Sequence, residues 1–189
     1  MKYYLRLGIV LLVIAIVSSG ILAYINSFTR PIIEENQKRA KAEARKEVLP
    51  VATDFDSISF FNDETVYVGV DSIGNQVGYT FVASLYGYSS LVKTMVGLTP
   101  ELKINKIKII EQKETPGLGA NSEKTEFQEQ FSGKNIKELT VDKDGGNIIS
   151  ITGATITTRT VTNSIRSGIE MMTELTGFGI QEDKQEEQE

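Results

Sequence analysis

The sequence predicts an α+β fold: a mostly antiparallel sheet with flanking helices, behind a single N-terminal transmembrane helix. Three observations carry that expectation. Leu7–Ile25 is an uncharged, mostly apolar run of about nineteen residues, enough to cross a bilayer as a helix. Val66, Val68 and Val70 alternate with small or polar residues, Asp71–Asn75 supplies a turn, and Val77, Tyr79 and Phe81 alternate again, the pattern of a hairpin. From Thr158 onward, Val161, Ile165, Ile169, Met172 and Leu175 recur at spacings of three and four, one apolar face of a helix.

In chain order, residues 1–6 form a short N-terminal tail in which Lys2 and Arg6 precede the apolar run. A secretory signal peptide shares this basic start. The run is long for a signal core, however, and its small residues, Ser18-Ser19-Gly20, lie inside it, so an uncleaved anchor over 7–25 is favoured. Lys2 and Arg6 face Arg30, Lys38 and Arg39 on the far side, which nearly balances the positive-inside rule. Residues 26–50 read as a charged helical stalk, with Pro31 at a first helical position and Pro50 closing it. Glu35 and Arg39 are spaced for an i,i+4 pair, whereas Lys41 and Arg45 are like charges at the same spacing.

The soluble domain is expected over 51–180. Lys103–Ile110 alternates imperfectly and reads as a half-exposed strand. Glu123–Phe131 looks helical, with Phe127 and Phe131 four apart and suited to core packing. Residues 181–189 are acidic and Gln-rich, the composition of a disordered tail.

Composition narrows the chemistry. The chain contains neither cysteine nor histidine, so thiolate-bound iron–sulfur clusters, His-ligated haem, Cys/His zinc sites and Ser-His or Cys-His catalysis lack their parts. Any redox chemistry must come from an organic cofactor. A net charge of -5 offers no basic surface for nucleic acid.

Two stretches stand out. In Ser150–Arg159 (SITGATITTR), a short β-branched run, Ile148–Ile151, reads as a strand end, and Thr155 falls at the junction with the helix. Unpaired N–H groups and the helix dipole favour an anion such as phosphate there. Gly153 and Ala154 leave room for a bulky ligand. A threonine-capped amphipathic helix with no ligand fits the same residues. In Glu114–Gly119 (ETPGLG), Pro116 fixes one dihedral while Gly117 and Gly119 free their own, and Leu118 presents an apolar side chain between them. An ordinary Pro-Gly turn fits it equally.

Together with Tyr86–Gly97 (YGYSSLVKTMVG), these stretches, in this order behind one anchor, resemble the FMN-binding domain family. Within it they are most similar to the G subunits of Rnf (Rsx) electron-transport complexes, with the C subunit of the sodium-translocating NADH:quinone reductase as a cousin. The resemblance implies that FMN is joined through its phosphate to Thr155 by a separate flavin transferase. Thr152, Thr157 and Thr158 are then placed to donate to that phosphate, with Gly153 and Ala154 beside it. The implied ring contacts are Thr115, Gly117 and Leu118, the glycines permitting close approach, and Glu114, Pro116 and Gly119 belong to the same cofactor-binding loop. Tyr88 and Lys93 are further candidates for ring packing and phosphate pairing. The family motif usually carries an aspartate three residues before the threonine–glycine pair, where this chain has Ile149.

The implied function is electron relay through covalent FMN in an Rnf-type complex coupling ferredoxin/NAD electron transfer to sodium or proton translocation. Little catalysis is expected of the isolated chain, and its partners are the other membrane and peripheral subunits. The implied location is the cytoplasmic membrane, single-pass, with the N-terminus inside and the FMN domain on the extracytoplasmic side. Rival readings are a stand-alone extracytoplasmic flavoprotein, a quinone-reductase subunit, and a non-redox tethered scaffold.

Overall fold

The computed structural model describes residues 2–61 and 64–177; the predicted acidic tail, 181–189, lies outside them. The chain divides into two compact units, Met1–Ala40 and Lys41–Glu189.

The first unit belongs to helix α1, Lys2–Val48. This helix is long and apolar enough to cross a membrane, with a mean hydropathy of 2.6 in its most apolar stretch. Ile9, Leu12, Val13 and Ile16 are all exposed, as suits a helix that is apolar all round and long enough to span a bilayer. Three hydroxyls within this segment are satisfied locally. The hydroxyls of Ser19, Ser27 and Thr29 donate to the carbonyls of Ile16, Tyr24 and Ile25, which lowers the cost of carrying them into a bilayer. Edge-on aromatic pairs, Tyr3–Tyr4 and Tyr24–Phe28, stand at either end of the apolar run, where amphipathic rings favour the interface.

A helix start was expected at Pro31, but that residue lies inside α1. Proline removes one backbone hydrogen bond, whereas a break would orphan several groups at each of two new ends. Arg30–Glu34 and Glu35–Arg39 pair across the proline and beyond it at 3.0 and 3.5 Å.

The second unit starts at Lys41, earlier than the domain edge expected near Val51, because the last turns of α1 belong to its core. Ala44 and Val48 are buried against Val82 and Met95. Lys41 Nζ reaches both carboxylate oxygens of Glu64 at 2.6 Å. The Arg45 guanidinium lies 3.5 Å from the Tyr67 ring centroid and 5.6 Å from that of Phe55, a stacked geometry suited to arginine. The two like charges at i,i+4 thus point to different partners. Gly97 permits the approach, since a Cβ there would collide with the Val48 carbonyl.

The sheet is a five-stranded antiparallel meander, β1 (Asp54–Phe61), β2 (Glu64–Val70), β3 (Gln76–Tyr86), β4 (Leu91–Leu98) and β5 (Ile104–Glu111), in sequence order. The β2–β3 turn is held by Asp71, whose carboxylate accepts from Ile73 N, Asn75 N and Asn75 Nδ2 at 2.8–3.1 Å. β3 is buried continuously from Gly78 to Ala83 because both faces are covered: Val82 faces the end of α1, while Phe81 and Ala83 face the main core. The imperfect alternation of β5 has a local cause. Leu98 pairs with Ile104 and Gly97 with Lys106, so Asn105 is an extra residue in a bulge, and it donates to Val48 O at 2.7 Å.

Phe127 and Phe131 are buried edge to face at 5.5 Å, on a short helix α2 (Thr125–Gln128) and the 3-10 turn after it. Helix α3 (Thr155–Thr176) lays Val161, Ile165, Ile169 and Met172 on the main core, each at most 1% exposed. Each such side chain contributes about 1.5–3 kcal/mol by leaving water. Leu175, expected on that face, is exposed, shortly before the left-handed Gly177 that ends the helix.

The strand end expected over 148–151 is a single parallel bridge, Val141 with Ile148. Side chains take the place of a neighbouring strand. Gln130 Oε1 accepts from Ile149 N at 2.7 Å, Asp142 from Ser150 N at 3.0 Å, and Thr158 Oγ1 from Ile151 N at 3.1 Å.

Candidate functional site

Three segments converge above one end of the sheet: the β3–β4 loop at Gly87–Ser90, the loop Glu114–Gly119 after β5, and the start of α3. What draws them together is one carboxylate. Glu114 is 5% exposed and accepts from the backbone N–H groups of Tyr88, Ser89 and Ser90 at 3.1, 3.0 and 2.9 Å. The Ser90 hydroxyl donates to it at 3.1 Å and the Thr157 hydroxyl at 2.7 Å. Burial pushes this carboxyl up. The Thr157 hydroxyl and the N–H groups of Ser89, Ser90 and Tyr88 more than offset that, and it is lowered to about 2. Glu114 is therefore ionised at neutral pH.

Close packing at this junction explains two of the small residues. A Cβ on Gly119 would lie 2.6 Å from Thr157 Oγ1 and 2.9 Å from Glu114 Oε2. Gly153 has φ +74°, and a Cβ there would meet Leu118 Cδ2 at 2.9 Å. Gly117, at φ +78°, faces open space, so it serves the turn.

The start of α3 is uncapped. Ala154 holds the cap position with no side-chain hydrogen bond. The first backbone bond into the helix is Thr158 N to Ala154 O at 3.1 Å, which leaves the N–H groups of Thr155, Ile156 and Thr157 without a backbone partner among the described residues. The hydroxyls of the next turns are occupied. Thr158 donates to Ala154 O, Thr160 to Tyr86 O and Thr162 to Thr158 O. Thr155 is half-buried, and its hydroxyl has no hydrogen-bond partner among the described residues.

A cavity of about 600 Å³ opens at this junction, lined by Tyr88, Glu114, Thr115, Leu118, Gly119, Gly153, Ala154, Thr155, Ile156 and Thr157. That volume lies within the range of cofactor sites. Tyr88, Leu118 and Ile156 are exposed apolar surface at the cavity, and the free N–H groups lie at the helix start. The residues present fit a flat aromatic ring system carrying a phosphate.

Among the predicted site residues, Thr152, Thr158, Pro116, Gly117 and Lys93 do not line the cavity. Thr158 turns inward, where its hydroxyl accepts from Ile151 N as well as donating to Ala154 O. Thr157 lines the cavity, but its hydroxyl proton is directed at Glu114 instead of toward a phosphate. Lys93 pairs with Glu111 at 3.0 Å. The sequence reading missed Ile156, whose signal was its place beside Thr155 and off the apolar stripe of α3. It also missed Ser89 and Ser90, for which no local signal exists: their partner lies about two dozen positions away in the chain.

The position of Ile149 is exposed, and a second brace flanks it. Arg159 forks onto Asp144 at 2.9 and 2.6 Å, and Asp142 accepts from the Ser150 hydroxyl. Both carboxyls are held below their usual range, Asp142 first by Ser150 and Asp144 first by Arg159.

Comparisons with known proteins agree with this geometry. Residues 87–170 match the family described as FMN-binding domain, and residues 2–48 match the RnfG N-terminal region. The chain is 35% identical over 192 residues to the G subunit of the Na(+)-translocating ferredoxin:NAD(+) oxidoreductase complex of Acetobacterium woodii, covering 90% of this chain and 92% of that one. It is 30% identical to the G subunit of the ion-translocating oxidoreductase complex of Methanosarcina acetivorans, covering 89% and 94%. It is also 30% identical to the G subunit of the proton-translocating ferredoxin:NAD(+) oxidoreductase complex of Clostridium ljungdahlii, covering 85% and 87%. The fold is shared with the crystal structure of the Na(+)-translocating NADH-quinone reductase C subunit from Parabacteroides distasonis, at a TM-score of 0.52 and 18% identity, covering 70% of this chain and 90% of that one. With a flavin-type cavity, an apolar N-terminal helix and near full-length likeness to these relatives, the chain belongs to the family of G subunits of Rnf-type ion-translocating oxidoreductase complexes, built on an FMN-binding domain.

Proposed function

We propose that this subunit carries FMN as a phosphodiester on Thr155 Oγ1 and relays electrons through it between partners in an Rnf-type complex. The observation that carries the reading is the state of one hydroxyl. Of the threonines from 152 to 158, Thr155 alone both lines the cavity and has a hydroxyl without a hydrogen-bond partner among the described residues. It also sits where the N–H groups of the first turn of α3 can receive a phosphate. When bound, FMN supplies the electron-transfer chemistry.

The chain's own residues bind and orient. The N–H groups of Thr155, Ile156 and Thr157 are placed to hold phosphate oxygens, and Leu118, Ile156 and Tyr88 offer apolar surface to the ring. Glu114, through Tyr88–Ser90 and Thr157, fixes the two loops against α3. Attachment requires a flavin transferase that moves FMN from FAD to the hydroxyl, with AMP leaving and the hydroxyl proton released. Ile149, where the family motif has an aspartate, bears on how fast that occurs. α1 serves as a single-pass anchor with the N-terminus inside and the FMN domain on the extracytoplasmic side. The complex would couple ferredoxin/NAD electron transfer to translocation of sodium or protons, and the relatives' names include both ions.

Denaturing electrophoresis under ultraviolet light tests the attachment. Co-production with a flavin transferase should give a fluorescent band that Thr155→Ala abolishes and Thr157→Ala largely retains. The reverse pattern would assign the bond to the wrong hydroxyl.

A further inference from the structure

We propose that Glu114 acts as a fixed negative charge in the cavity wall, holding down the reduction potential of the flavin housed there. This rests on the reading of Thr155 as the FMN attachment point. Glu114 lines the cavity, and among the described residues the hydrogen bonds it accepts come from uncharged donors: three backbone N–H groups and the hydroxyls of Ser89, Ser90 and Thr157. No lysine or arginine pairs with it among the described residues, and Lys93 spends its charge on Glu111.

Neutral dipoles stabilise a carboxylate without cancelling its charge. Its field therefore extends into the cavity, where the surroundings screen it less than bulk water would. The site also selects for an ion. With N–H and O–H groups converging on both oxygens, a neutral amide would turn its own N–H₂ toward one of them. An acceptor-only group is needed, and its charge comes with it.

Each electron taken up in the cavity comes from an external donor, a reduced partner in the complex or dithionite in a titration, and that donor is oxidised in turn. Glu114 stays ionised throughout, so added negative charge is met by an existing one. Two substitutions separate this effect from simple loosening of the site. Glu114→Gln removes the charge and raises the potential. Thr157→Val keeps the charge but removes its shortest donor, leaving it less compensated, and lowers the potential.

The test is a potentiometric titration of the full-length flavinylated chain in detergent, with the mass of each variant recorded first. The expected result is shifts of opposite sign, with Glu114→Gln moving the one-electron equilibrium by about tenfold, equivalent to about 59 mV. Shifts of the same sign, or none in either variant, would overturn the inference. Should Glu114→Gln fail to fold, Thr157→Val decides alone: a fall supports the inference, and a rise or no change overturns it. If wild-type chain shows only its unmodified mass after exposure to the transferase, the attachment reading has failed, and this inference falls with it.

Discussion

Glu114 also makes a prediction about folding that needs no flavin. Its carboxyl moves from an ordinary value of 4.5 to about 2 in the folded chain, which favours the folded state by about 3 kcal/mol when the group is fully ionised. A depressed folded-state value contributes stability that is complete above the unfolded value and lost as pH falls through the folded one. The contribution is therefore full at pH 7, falls to about 1.4 kcal/mol at pH 3, and vanishes below about pH 2. Glu114→Gln lacks this dependence. Urea unfolding of the flavin-free chain in detergent, followed by tyrosine fluorescence since the chain has no tryptophan, should show the variant about 3 kcal/mol less stable at pH 7. The gap should narrow to less than half by pH 3. That is a large share of a domain's usual margin of about 5–15 kcal/mol. A gap that is absent at pH 7, or constant from pH 7 to 3, would refute the assignment of Glu114 as a buried, ionised hub.

Other substitutions probe the remaining parts. Leu118→Asp should perturb the flavin absorption spectrum without releasing the flavin, and an unchanged spectrum would remove the Glu114–Gly119 loop from the ring's surroundings. Ile165→Ala, at a fully buried position of α3, should cost about 2–5 kcal/mol in the same urea assay; a cost below about 1 kcal/mol would mean the helix packs elsewhere. Arg45→Ala should lower the stability of the second unit by about 1–2 kcal/mol through loss of its stacking on Tyr67 and Phe55. No change would indicate that the end of α1 is held by its other contacts, the burial of Ala44 and Val48 and the Lys41–Glu64 pair among them, without this stack.

Much of this architecture can be read from residue patterns, because those patterns report local periodicity. The apolar face of α3, the β2–β3 hairpin and the Phe127–Phe131 pair all follow from spacing. What spacing cannot report is partnership across the chain. Nothing near Lys41 and Arg45 indicates that one meets Glu64 and the other Tyr67, so the end of α1 has the composition of a solvated stalk although it is core. Ile148–Ile151 has strand composition, yet Gln130, Asp142 and Thr158 take the backbone groups a neighbouring strand would need. The irregular alternation in β5 is visible in the residues, but its cause, a bulge at Asn105, is not.

The same limit applies at the site. The residues are legible as two motifs, whereas their division of labour is not. A row of threonines offers several equivalent hydroxyls on paper. Folding distinguishes them: Thr157 is turned onto Glu114, Thr158 onto Ala154, and Thr155 into the cavity. Glu114, which the motif places among the cofactor-binding residues without a role of its own, sits at the junction of all three segments.

Peptide-resolved mass measurement of the full-length chain, produced with and without a flavin transferase, tests the attachment most directly. A single FMN increment on the Thr155 side chain, appearing only with the transferase and missing in Thr155→Ala, is the expected result. An unmodified mass after exposure to the transferase, or an increment carried by Thr152 or Thr157, would contradict it.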